Sequence, residues 1–124
     1  MEFENHAVTA RALFDAFLGR HRADFEALIT DDFTFTSPYD DHIDRGAYFE
    51  RCWPNAEHFT NFEIERVSAD QDGAFVTYLC TTKDGKSFRN TEYIAVKDER
   101  VVSVDVYFGA TYRDGKFMAQ ADEE

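Results

Sequence analysis

Basic side chains are scarce in this sequence: 13 Lys and Arg stand against 25 Asp and Glu, a formal net charge of −12. A nucleic-acid binder needs a basic footprint, and none is present, so no nucleic acid is expected as partner. The same sign of charge disfavours an anionic membrane surface. No window reaches the roughly 20 apolar residues of a spanning helix. The start, Met1 to Glu4, is acidic and unlike a signal peptide. Cysteine is almost absent, and Cys52 and Cys80 lie far apart without a CxxC. They could pair, but the spacing predicts buried free thiols in a reducing, cytoplasmic setting. No HxxxH, clustered second histidine or cysteine pair occurs, so neither a metal site nor a cofactor is expected.

Aromatic residues are abundant: 13 Phe, 6 Tyr and 1 Trp in 124 residues. So much bulky apolar surface predicts a folded chain, and the length suits one domain over residues 1–124. The rings either fill its core or line a cavity.

Residues 5 to 18 carry the stripe Ala10, Leu13, Phe14, Phe17 and Leu18, the mark of an amphipathic helix. A short second helix follows, with Phe25, Leu28 and Ile29 on one face. Phe33 to Ser37 reads as a strand, and Pro38 closes it before the titratable run Asp40, Asp41, His42 and Asp44. Asp44 looks like the N-cap of a third helix bearing Tyr48, Phe49, Cys52 and Trp53, which Pro54 ends. Beyond residue 60 the period becomes two. Strands are predicted at Phe62 to Ser68, Ala74 to Lys83, Lys86 to Lys97 and Val101 to Phe108, with Asp72-Gly73 and Asp84-Gly85 as hairpin signals. The stretch from residue 110 to 124 reads as a trailing arm. Three N-terminal helices on a strongly curved, mostly antiparallel sheet make an α+β domain.

That order, with "DFEALITDDFTFTSP" at the helix-to-strand junction and "RNTEYIAVKDERVVSVDVYFG" over the last two strands, resembles the NTF2-like superfamily. Ketosteroid-isomerase-like and SnoaL-like proteins belong to it. The resemblance covers about Ala10 to Gly109 and implies an NTF2-like cone with a mostly apolar interior, open at one end and often a homodimer. In the isomerases a carboxylate general base directly precedes the proline after the first strand; here that residue is Ser37. Their helical tyrosine falls near Ala16, and their second acid near Glu92.

The resemblance also suggests which faces look inward. Val104, Val106 and Phe108 would face the cone, with Ser103, Asp105 and Tyr107 outside. Phe88, Asn90, Glu92 and Ile94 share one face by parity. A carboxylate at Glu92 would be desolvated and its pKa raised, as a general acid or near-neutral base requires. The competing reading pairs Glu92 with Arg89 or Arg66 at the surface. His42, beside Asp41, could shuttle protons near neutral pH, or both could be ordinary loop residues, and Asp40 could serve turn chemistry alone. Tyr39 and Asn90 are candidate hydrogen-bond donors, and Trp53, Phe49 and Phe108 candidate ligand-contacting rings. Two functions follow. One is acid–base catalysis on a small, mostly apolar molecule by Glu92, His42 and Asp41. The other is a non-catalytic ligand-binding or dimeric interaction module of the same fold.

Overall fold

Helix α1 (Glu2–Leu18) turns Ala10, Leu13 and Phe14 into the core, as its stripe requires. The computed structural model describes residues 2–118. Helix α2 (Arg22–Leu28) buries Phe25 and stops at Ile29, whose backbone is already extended. Strand β1 (Ile29–Ser37) therefore starts earlier than the pattern suggested, and Ile29 is fully buried as its first residue.

The titratable run is not a loop. Asp40–Asp44 forms strand β2, antiparallel to β1, with Phe35 opposite Ile43 and Ser37 opposite Asp40. Pro38 and Tyr39 make the turn between them, where a missing backbone donor costs nothing. Helix α3 (Arg45–Arg51) begins on Asp44, whose Oδ1 accepts from the Ala47 N–H at 2.9 Å. Asp44→Ala should cost about 1 kcal/mol of stability, measurable by urea denaturation. Pro54 does not stop the chain's helical course; it sits in the first turn of a 3-10 segment (Trp53–His58), where it fits without losing a bond.

Strands β3 (Phe59–Ala69), β4 (Gly73–Thr82), β5 (Lys86–Lys97) and β6 (Arg100–Arg113) form the expected antiparallel meander. Residues 111–118, expected within an arm, instead extend β6 and return as β7 (Lys116–Met118). Gly115, with φ of 78°, supplies the left-handed residue of that turn. The remainder of the expected arm lies outside the described residues.

The sheet order is β2-β1-β6-β5-β4-β3, with β7 on β6, and β1–β6 is its parallel pairing. Register breaks interrupt β3–β4 near Phe59 and Ile64, and β5–β6 near Phe88 and Ala95. Each such bulge bends its strand and adds twist. The result is an unclosed, curved sheet with three helices: the NTF2-like α+β cone. At the Phe88 bulge the strands approach so closely that a Cβ on Gly109 would lie 1.9 Å from the Arg89 carbonyl oxygen. The main chain itself thus requires glycine there.

Candidate functional site

Between the concave face of the sheet and the helices lies a pocket of about 660 Å³. Phe14, Phe62, Phe88 and Phe108 form much of its wall, and Glu92, Tyr78 and Tyr48 supply polar atoms. Strand parity explains the convergence. Tyr78 pairs with Asn90 and Val76 with Glu92 across β4–β5, while Phe108 pairs with Asn90 and Val106 with Glu92 across β5–β6.

A directed chain of hydrogen bonds ends on the carboxyl of Glu92. The Gly109 N–H donates to Asn90 Oδ1 at 3.2 Å. Asn90 Nδ2 donates to Tyr78 Oη at 3.3 Å, and Tyr78 Oη donates to Glu92 Oε2 at 2.6 Å. Each bond polarises the next in a medium of low dielectric. Burial removes Glu92 from water and pushes its pKa up to about 7, against the opposing pull of the Tyr78 bond. Among the described residues no hydrogen bond reaches Oε1. Burial, and the charge of Glu92 close by, hold the Tyr48 phenol well above its usual value. That phenol lines the pocket without a protein hydrogen-bond partner among the described residues.

A second carboxyl faces the pocket near its mouth. Asp40 Oδ1 accepts from Arg51 Nη1 at 2.8 Å, and Ser37 Oγ donates to Asp40 Oδ2 at 3.5 Å. The side chain of Asp40 is only 14% exposed. Cys52 stands beside it, its thiol pushed up to about 12 by burial and then by the charge of Asp40. Burial does the same to Cys80, so both unpaired cysteines are protonated thiols at neutral pH. Among the described residues no three His, Cys, Asp or Glu side chains converge to hold a metal ion.

The sequence-derived candidates divide. Glu92, Asn90, Phe108 and Tyr39 line the pocket, Tyr39 at its rim with its ring edge-on to Phe108. Phe49 and Trp53, expected as ligand contacts, instead pack behind the wall, against Phe25 and each other. Asp41 and His42 are bonded together at 2.6 Å, with side chains 91% and 70% exposed, and neither lines the pocket. Asp40 turns inward and Asp41 out, and the left-handed backbone of His42, with φ of 50°, breaks the alternation of β2 and leaves His42 in solvent as well. Asn90 has both ends of its amide engaged within the network, so it positions Tyr78 rather than offering a free donor. Arg89 is forked onto Glu65 at 2.7 and 3.1 Å, and Glu92 lines the pocket bonded by Tyr78, so among the described residues neither Arg89 nor Arg66 makes the surface pair with Glu92.

Sequence reasoning missed Tyr78 and Tyr48 and underrated Asp40. Tyr78 was within reach: the Asp84-Gly85 hairpin sets the register that puts it beside Asn90. Asp40 was not, because its inward direction depends on a strand stabilised by pairing with β1.

The family model for the SnoaL-like domain matches residues 10–117. No curated protein matches the sequence. Solved structures match closely in shape. A protein of Kribbella flavida DSM 17836, provisionally described as a ketosteroid isomerase, is 22% identical over 94% of this chain and 86% of its own, with a TM-score of 0.74. An NTF2-like protein of unknown function from Mesorhizobium loti is 23% identical over 87% of this chain and 93% of its own, at 0.73. A de novo designed protein with a curved β-sheet is 11% identical over 86% of both chains, also at 0.73. At such identities the likeness is one of fold.

Proposed function

Because this chain belongs to the SnoaL-like domain family, we propose that its pocket performs acid–base catalysis on a small, mostly apolar molecule. The observation that carries the reading is the Glu92 carboxyl, set deep in the pocket, bonded by Tyr78 and with one oxygen open to a ligand. With a pKa near 7, Glu92 exchanges protons readily at neutral pH. As a carboxylate it takes a proton from a carbon next to a carbonyl. The freed electron pair moves to the carbonyl oxygen, and the Tyr48 phenol donates a hydrogen bond to that oxygen. Protonated Glu92 then returns the proton to another atom of the same molecule. Isomerisation, aldol-type cyclisation and dehydration begin from such a transfer; in a hydrolysis the carboxylate would instead take the proton of a water that attacks the substrate. Asp40 is the second acceptor, nearer the mouth.

Deuterium exchange tests this without a known substrate. Enolisable apolar ketones incubated with the protein in D2O should exchange the hydrogens next to the carbonyl, read by NMR. If ketones that bind show no exchange above buffer, the catalytic reading fails and a binding module remains.

The outer sheet face carries Phe75 against Tyr93, with ring centroids 4.6 Å apart, and Tyr107, 58% exposed. We assign this face to a homodimer contact. Light scattering should show Tyr107→Arg shifted from dimer to monomer; a wild-type monomer at micromolar concentration overturns the assignment.

A further inference from the structure

Two acids, Asp40 and Glu92, line the inner part of the pocket, and among the described residues one cation pairs with them. Arg51 Nη1 holds Asp40 Oδ1 at 2.8 Å, and it reaches that oxygen from outside: its side chain is 59% exposed and does not line the pocket. Asp40 Oδ2 has Ser37 Oγ at 3.5 Å and Cys52 Sγ at 3.9 Å, both long contacts from neutral donors. Glu92 has the Tyr78 hydroxyl on Oε2 and, among the described residues, no ion pair. Lys83 and Lys86 line the pocket at the β4–β5 hairpin. Lys86 stands six residues from Glu92 along β5, roughly 20 Å of strand, too far to balance its charge.

Cys52 ties the two acids to one region. Burial pushes its thiol up most, the charge of Asp40 adds to that, and the charge of Glu92 adds again. Once Glu92 ionises, this region carries a negative charge that no neighbouring side chain offsets, and a charge out of water calls for a partner. The wall beside it is aromatic. Phe14 and Phe62 pack on Tyr78 with ring centroids 5.5 and 4.4 Å away. Ring faces attract a cation. The formal net charge of −12 draws cations towards the molecule as well.

We propose that the pocket takes a molecule with an apolar body and one cationic nitrogen, an ammonium that lies among Asp40 Oδ2, Glu92 Oε1 and the surrounding rings. This rests on the pocket being a ligand site, as above, and adds the charge of the ligand. An ammonium there favours the carboxylate form of Glu92, so the ligand itself brings the base into its working state. An anionic ligand would do the reverse.

Calorimetry with phenylpropylamine, phenylpropanol and phenylpropanoate tests it, because the three differ in charge and little in size. The amine should bind at least about tenfold more tightly than the alcohol, and the carboxylate more weakly than the alcohol. Glu92→Gln, which can still accept the Tyr78 bond, and Asp40→Asn should each reduce the preference for the amine at least about threefold. Equal binding of amine and alcohol by the wild-type protein overturns the proposal. So does tighter binding of the carboxylate, binding of none of the three, or a full preference for the amine in Glu92→Gln. Exchange next to a ketone carbonyl is a separate measurement on neutral molecules, so either reading can fail alone.

Discussion

Glu92→Gln is expected to stabilise the folded chain by about 3 kcal/mol at pH 8 while removing proton exchange. The folded carboxyl keeps its proton up to about 7, against an ordinary value of 4.5. Below pH 4.5 both folded and unfolded chains hold that proton, and the favourable contribution of Glu92 is complete. Between 4.5 and 7 the folded state binds more protons than the unfolded one, so stability falls as pH rises. Above 7 the loss is complete, because folding then keeps a charge out of water. Gln has nearly the same shape, still accepts from Tyr78 and does not titrate. The stability gap between variant and wild type should therefore open from pH 4.5 to 7, as urea denaturation at several pH values would show. Catalysis should move the other way, with turnover falling by a factor of 10² or more. A constant gap across this pH range would mean that the carboxyl is not desolvated. Such a group is held at the expense of stability, as active-site acids commonly are.

Phe25→Ala is expected to cost 3 to 5 kcal/mol. Phe25 is 2% exposed and joins three elements. Its ring stacks on Tyr48 with centroids 5.3 Å apart and meets Phe49 and Trp53 edge-on at 5.7 and 5.1 Å. Removing it leaves a void bounded by rigid rings, which collapse poorly. It also removes the platform that aims the Tyr48 phenol. The variant should thus lose proton exchange even at temperatures where it stays folded, as circular dichroism and NMR exchange together would reveal. A loss below about 1 kcal/mol would show that the helices close over the gap.

The fold was largely legible because its elements carry their own periods. Parity along β5 put Asn90 and Glu92 on one face, and they share the pocket. The hidden parts depend on contacts between distant segments. Strand β2 has almost no strand character in its residues; hydrogen bonding to β1 makes it extended. That pairing turns Asp40 inward and leaves Asp41 and His42 in solvent. Phe49 and Trp53 have the composition of a ligand wall, but α2 delivers Phe25 against both of them and makes them core.

The parallel β1–β6 seam sets an order of assembly. Ile29 meets Val101 and Phe35 meets Val104, partners from opposite ends of the chain. The meander β3 to β6 can zip through short turns, whereas this seam must close a long loop before any contact repays the entropy. Glu92 lies on the meander, and Asp40 arrives with the hairpin that the seam brings in. A half-folded chain therefore carries the buried acid without its opposite wall. The two carboxyls face a common space only when the last long-range closure is made.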